Sequence, residues 1–439
     1  MPILKQIISL STWILITYSM LGCQASPPHA SESDGRAIAT PTATPPIVPT
    51  PTHTPEPDHA TTTLTIWTVE QISPYAKGDT GSFIDKSLHS FEKSNPNTKV
   101  EIFLKKPNGK GGILDFLKTT KEVAPSILPD VVIMNSTDLE QAYTNGLIIP
   151  LDDRLDRTII KDLLPAARKM GTVAEKLVGV PLGLEIEHTI YNTRTFTTPT
   201  VLWTNILSSN AKYVFPAKGV HGLVNDTTLA QYFALGGRLV DERGAPKIDE
   251  RALKQILIFY QEAINKKIIV PTILEVATSE EVWPSYVTGK TTVAQVSVRQ
   301  YLTERKTLKN TTWGNIVPMK ESLSVPIMRG WALTLVTTDM HRQKAALNLL
   351  EWFLSTSNNV TWNSLNKSIP PRDAAFQRLA GSDPYWQFLA EQLNTARPLP
   401  SFNGYDQVGQ IIQQAVEQVI RGEASPDQAT ATAIDALAK

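Results

Sequence analysis

Between Leu64 and Asn145 the chain alternates short apolar strands with amphipathic helices, and this alternation constrains its fold more than any other feature. Leu64-Thr65-Ile66-Trp67 is β-branched and apolar, the composition of a strand. Phe83, Ile84, Leu88 and Phe91 share one face of a helix that Asn95-Pro96-Asn97 terminates. Lys99-Val100-Glu101-Ile102-Phe103-Leu104 is a second strand, and a helix begins at Leu114-Asp115-Phe116-Leu117. Pro129 to Met134 is a third strand, followed by a short helix that ends at Asn145-Gly146. Strand, helix, strand, helix, strand is the pattern of a parallel α/β sheet.

The second half repeats the theme with more helix. Leu253, Ile256, Leu257, Tyr260 and Ile264 form an apolar stripe within 252–267, and further helices are expected over 345–354, 409–420 and 429–437. A chain of 439 residues exceeds what one compact core usually holds, so at least two lobes are expected. Its 42 Lys and Arg balance 42 Asp and Glu, which argues against a nucleic-acid binder, since such proteins carry a basic excess.

The N-terminal region is of a different kind. Lys5 precedes an apolar run from Ile7 to Tyr18, long enough for a signal segment and short for a membrane span. The run leads to Met20-Leu21-Gly22-Cys23, which resembles a bacterial lipobox, with Met20 departing from the usual leucine. Cys23 is the only cysteine, so no intramolecular disulfide can form. The expected sequence of events is removal of 1–22 and acylation of Cys23, which would anchor the chain to the outer face of the cytoplasmic membrane. An uncleaved anchor helix is the competing reading. Residues 23–63 are rich in Pro and Thr, offer almost nothing to bury, and read as a solvated tether.

From Leu64 to Lys439 a series of short motifs, in order, resembles the family 1 extracellular solute-binding proteins, the group that contains the maltose-type binders. The series includes Phe91-Glu92-Lys93-Ser94-Asn95-Pro96, Pro129-Asp130-Val131-Val132 and Asn145-Gly146-Leu147. Gly179-Val180-Pro181 with Tyr191-Asn192 ten residues on is the most specific pairing, and Gly236-Gly237-Arg238, Gly330-Trp331-Ala332 and Pro370-Pro371-Arg372 follow. The resemblance implies a type II periplasmic-binding-protein-like fold: two α/β lobes, a hinge, and a ligand cleft between them. By analogy one lobe takes 64–183 plus 295–336 and the other 184–294 plus 337–439. The chain would cross near Leu182–Glu187, Ala294–Val298 and Leu335–Asp339.

The resemblance also implies ligand-binding residues. Trp67, at the end of the first strand, is expected in the cleft, with a core role as the competing reading. Glu185 matches a glutamate that contacts sugar in the maltose-type binders; a carboxylate there accepts sugar hydroxyls. Trp331 is placed where the family brings an aromatic towards the cleft, and packing against the hinge competes with this. The chain departs from the family pattern in two places: Met134 and Thr137 stand where maltose-type binders carry Trp and Asp, and Arg299, with Tyr301 nearby, stands in place of a Trp. An arginine in the cleft would suit an anion, whereas a structural Arg299 would pair with an acid such as Glu185.

No H-E-x-x-H or G-x-S-x-G motif occurs, and no cofactor or metal site is implied. The expectation is a monomeric, non-enzymatic lipoprotein that captures a small solute, a saccharide by resemblance, and delivers it to the permease subunits of an ABC importer. The alternative is a ligand sensor or a carbohydrate-active hydrolase on the same scaffold, for which Glu185 and Glu187 would be the carboxylate pair.

Overall fold

A computed structural model describes residues 61–197, 201–319 and 324–438. The signal segment, Cys23 and nearly all of the tether lie outside these residues.

The folded body is built on two main sheets. Strands β1 (Thr62–Thr68), β2 (Thr98–Leu104) and β3 (Val131–Asn135) come first, with helices Asp79–Ser94 and Ile113–Val123 as the crossovers. A hairpin, β4 (Thr172–Val173) and β5 (Lys176–Leu177), leads into β6 (Val180–Glu185). A second set follows: β7 (Glu187–Asn192), β8 (Tyr213–Val214), β9 (Val293–Ser297) and β10 (Thr311–Gly314). The chain then returns through β11 (Ile327–Leu335) and β12 (Arg397–Pro398). The first sheet runs β12-β11-β3-β1-β2, with β6 also paired to β11, and the second runs β10-β7-β9-β8.

Sequence explains the placing of these strands. Val131, Val132, Ile133 and Met134 of β3 are all buried, as a strand covered on both faces must be. Strand β2 lies at the sheet edge and alternates, with Lys99, Glu101 and Phe103 exposed. Parallel pairing sets Ile66 beside Ile102 and Trp67 beside Phe103. Asp130, 1% exposed, fixes β1 to β3 by accepting from the Thr65 amide at 2.8 Å. Its carboxylate also receives Arg342 Nε at 2.7 Å and Arg342 Nη2, which ties helix Met340–Leu354 to the same sheet.

Two lobes are present, but two of the three expected crossings move. The expected crossing at Leu182–Glu187 coincides with the passage from β6 in the first sheet to β7 in the second. Residues 294–298 instead lie in and just after β9, which pairs with β7 and β8 in the second sheet. Strand β10 joins that sheet too, through β7. The chain therefore returns between β10 and β11. Beyond Leu335 it stays with the first lobe: Ala346, Leu349, Leu350 and Leu354 are buried in the same core as Leu64 and Val132, and Trp352 Nε1 donates to Ser87 Oγ at 3.0 Å. The last crossing falls between β12 and helix Tyr405–Arg421, whose Val408, Ile412 and Val416 pack in the second core with Tyr260. The segments 295–314 and 337–398 thus exchange lobes relative to the expectation. A strand joins the sheet that buries both of its faces, and motif order alone does not say which sheet that is.

A third apolar cluster joins the lobes. It gathers Leu184, Ile186 and Ile190 from the crossing, Ala294 and Val296 from β9, Met328 from β11 and Tyr385 from helix Pro384–Thr395. His188 lies fully buried here, with Nε2 2.8 Å from the Tyr385 hydroxyl. Burial depresses its pKa to about 4, so the ring is neutral at physiological pH.

Candidate functional site

A cleft of about 950 Å³ opens between the lobes. Asn135, Thr137, Asp138, Glu140 and Gln141, at the end of β3 and in the helix after it, line one wall. Lys218, Asn225, Asp226 and Glu280, from loops and helix starts of the second lobe, line the other. Glu185, Ile186 and Glu187 form part of the floor where the chain crosses, and Phe402 and Tyr405 add aromatic surface.

Local sequence builds each of these positions. Asn225 caps helix Asp226–Ala234, accepting from the Thr228 amide, which sets Asp226 in the first turn. Thr278 and Glu281 form a capping box at the start of helix Ser279–Val287 and leave Glu280 facing the cleft. Arg329 of β11 reaches Asp226 through two bonds of 2.6 Å, a fork-on-carboxylate pair that bridges the first sheet to the second lobe. Gly330 follows, where a Cβ would lie 2.6 Å from the Gly183 carbonyl oxygen, so the two crossing strands approach too closely for a side chain.

The floor carboxyls are electrostatically unusual. Glu185 accepts from the Arg299 amide at 3.1 Å, and its Oε2 lies 3.7 Å from Arg299 Nε. That oxygen is nevertheless buried without a hydrogen bond. Desolvation raises the Glu185 pKa to about 7 against the opposing pull of Arg299. Its side chain keeps 24% of its surface exposed, on the cleft, so solvent moderates this shift. Glu187 is raised further, to about 8, by burial first and then by Asp226. Its nearest hydrogen-bond donor is Gln295 Nε2 at 3.5 Å. On the first-lobe wall, burial lifts Asp138 to about 6.

The expected site residues separate. Glu185 lines the cleft. Arg299 does not: it is half exposed and braces Glu185, the structural role that competed with anion binding. Trp67 is 5% exposed in the first core, its ring edge-on to Phe116 at 6.3 Å with Lys105 Nζ 4.6 Å from the ring centroid. Trp331 is half-buried against the same core, on a strand between Asn135 of β3 and Gly183 of β6. Neither tryptophan lines the cleft. Of the two departures from the family pattern, Thr137 does line the cleft and Met134 is core. Asp138, Asp226, Glu280, Arg329 and Phe402 were not singled out from sequence. Asn225-Asp226 and Thr278-x-x-Glu281 are readable as helix starts, but nothing local says that those starts face a cleft.

Residues 86–388 match the family model for bacterial extracellular solute-binding proteins. No curated protein sequence matches the chain. Among solved structures, the cyclic α-maltosyl-1,6-maltose binding protein of Arthrobacter globiformis superposes with a TM-score of 0.70 at 17% identity, covering 86% of this chain and 98% of that one. Maltose-bound MalE3 of T. maritima gives 0.68 at 17% identity, over 86% of this chain and 99% of that one. A solute-binding protein of an ABC transporter from Thermotoga lettingae, bound with α-D-tagatose, gives 0.65 at 18% identity, over 86% and 99%. These likenesses establish the two-lobed type II fold.

Proposed function

Because the chain belongs to the bacterial extracellular solute-binding proteins, which bind rather than catalyse, we propose that it is the ligand-capturing component of an ABC importer and that its cargo is a saccharide. The observation that carries this reading is the cleft. It lies between two lobes joined by crossing strands, and amide and hydroxyl groups such as Asn135, Thr137, Gln141, Thr278 and Ser297 recur along it. Such groups meet the rim hydroxyls of a sugar, while Phe402 offers a face for its apolar C–H side. The maltose and tagatose in the names of structural neighbours support the same class. Glu185 is the residue of the floor assigned to hydroxyl binding, with Arg299 holding it in place.

The mechanism is differential affinity. A ligand touching both walls favours the closed arrangement by the contacts it gains there, and the closed form is what a permease would receive. Acylated Cys23, at the head of the 23–63 tether, would hold the monomeric body at the outer face of the membrane, where acyl chains contribute roughly 0.8 kcal/mol per buried CH₂.

A thermal-shift panel of mono- and oligosaccharides, polyols, amino acids and anions tests the cargo class. A ligand at a hundredfold excess over its Kd stabilises the native state by about 2.7 kcal/mol. A shift confined to saccharides supports the reading, and a shift confined to amino acids or anions overturns it. Small-angle scattering with the active ligand should show a smaller radius of gyration. Cys23→Ser should release the protein from the membrane fraction.

A further inference from the structure

The charge of the cleft is one-sided. Among the described residues seven carboxyl side chains line it, against Lys218 and Arg329 as the only Lys or Arg side chains. Part of that excess is compensated within the fold. Arg329 neutralises Asp226. Glu280 and Asp406 stand in the first turns of their helices, where the N-terminal dipole offsets a negative charge. Arg299 braces Glu185 from one side. Glu187 has no ion-pair partner of its own: among the described residues no Lys, Arg or His side chain lies within ion-pair distance of it, and Arg329, which acts on it from farther away, is engaged by Asp226.

A second observation marks the same place. The hydroxyl of Tyr213, a residue 2% exposed in the second-lobe core and outside the cleft lining, has no hydrogen-bond partner among the described residues and feels the charge of Glu187. Glu185 Oε2 is likewise buried and unbonded. The floor therefore holds a carboxylate oxygen without a hydrogen-bond donor, its nearest cation being Arg299 Nε at 3.7 Å. Among the described residues no group of three or more His, Cys, Asp or Glu is placed to hold a metal ion.

We propose that the cargo is an amino-saccharide, a sugar bearing a protonated amine, with its ammonium group seated at the floor of the cleft against Glu185 and Glu187. The inference rests on the saccharide reading above and narrows it. An ammonium group supplies three donors and a positive charge, where a hydroxyl supplies one donor and no charge. In a desolvated floor that charge is screened far less than in water, so an amine is favoured over the hydroxyl it replaces. Arg329, already engaged by Asp226, does not oppose it with a free charge.

Titration calorimetry on the full-length protein with matched pairs provides the test: glucosamine against glucose, galactosamine against galactose, and the β-1,4 glucosamine disaccharide against cellobiose. The expected result is at least tenfold tighter binding of the amine in one pair or more, weakened by added salt. Glu187→Gln should bring that amine-to-hydroxyl ratio close to one while melting no lower than the parent. Since burial holds the Glu187 carboxyl well above its ordinary range, amine binding at pH 7 should also release a proton from it, giving a heat that varies more steeply with the ionisation enthalpy of the buffer in the parent than in the variant. Neutral sugars binding as well as or better than their amines overturns the proposal and leaves saccharide capture standing. An amine preference that survives in Glu187→Gln overturns the assignment to this floor. Failure of every sugar, charged or neutral, overturns both readings.

Discussion

Truncating Trp67 separates a core role from a ligand role. The side chain is 5% exposed, stands edge-on to Phe116 and lies beneath Lys105, and it does not line the cleft. A buried indole removes roughly 150–250 Å² from water, and the Phe116 edge contact adds about 0.5–1.5 kcal/mol. Alanine retains a small part of that burial, so Trp67→Ala should cost about 3–5 kcal/mol, the usual range for a buried aromatic. With a urea slope of about 3 kcal/mol/M for the lobe, the unfolding midpoint should fall by about 1–1.7 M. Trp67→Phe keeps a ring against Phe116 and should lose less than half as much. The assay is urea unfolding followed by circular dichroism, alongside ligand affinity measured well below the midpoint. Affinity should stay within about threefold of the parent, since that corresponds to less than 1 kcal/mol. An unshifted midpoint with ligand binding abolished would refute the core assignment and restore Trp67 to the cleft.

Arg342→Ala strands the carboxylate of Asp130, which is 1% exposed, and should lower stability by about 2–4 kcal/mol; the partly exposed guanidinium places it towards the low end of buried pairs, and chemical denaturation measures it. Glu187 has a raised pKa in the folded state, so the native protein holds a proton that the unfolded chain releases between about 4.5 and about 8. Its contribution to stability is therefore retained at acid pH and declines as pH rises through that window. Glu187→Gln should accordingly gain stability over the parent progressively from pH 5 to pH 9, and parallel melting curves across that range would contradict the assignment. Gly330→Ala forces a methyl group against the Gly183 carbonyl and should cost about 1–3 kcal/mol, read as a lower melting temperature. Tyr385→Phe removes the hydroxyl partner of buried His188 and should cost about 1–2 kcal/mol in the same assay.

Much of the architecture was legible in the residues themselves, because strands and helices are local events. β-branched runs and apolar stripes placed β1, β2, β3 and helix Glu250–Asn265 within a few residues of where they lie. The order of short motifs pointed to two α/β lobes and to the first crossing, where β6 ends at Glu185 and β7 begins at Glu187. Lobe membership after that point was not legible. Whether β9 and β10 join the first or the second sheet depends on which partner strands bury them, and that is decided by contacts more than a hundred residues apart in sequence. The site divided along the same line. Glu185 was assigned through its match to a sugar-contacting glutamate of the maltose-type binders, and it does line the cleft. Trp67 and Trp331 could not, because an aromatic near a strand end serves core or cleft equally well until packing fixes which way the ring turns. The acidity of the cleft was also hidden. The whole chain carries 42 acidic and 42 basic Lys and Arg side chains and is neutral on balance. Only the folding of Asp138, Asp226 and Glu280 towards Glu185 and Glu187 gathers carboxyl groups from four separate stretches into one space.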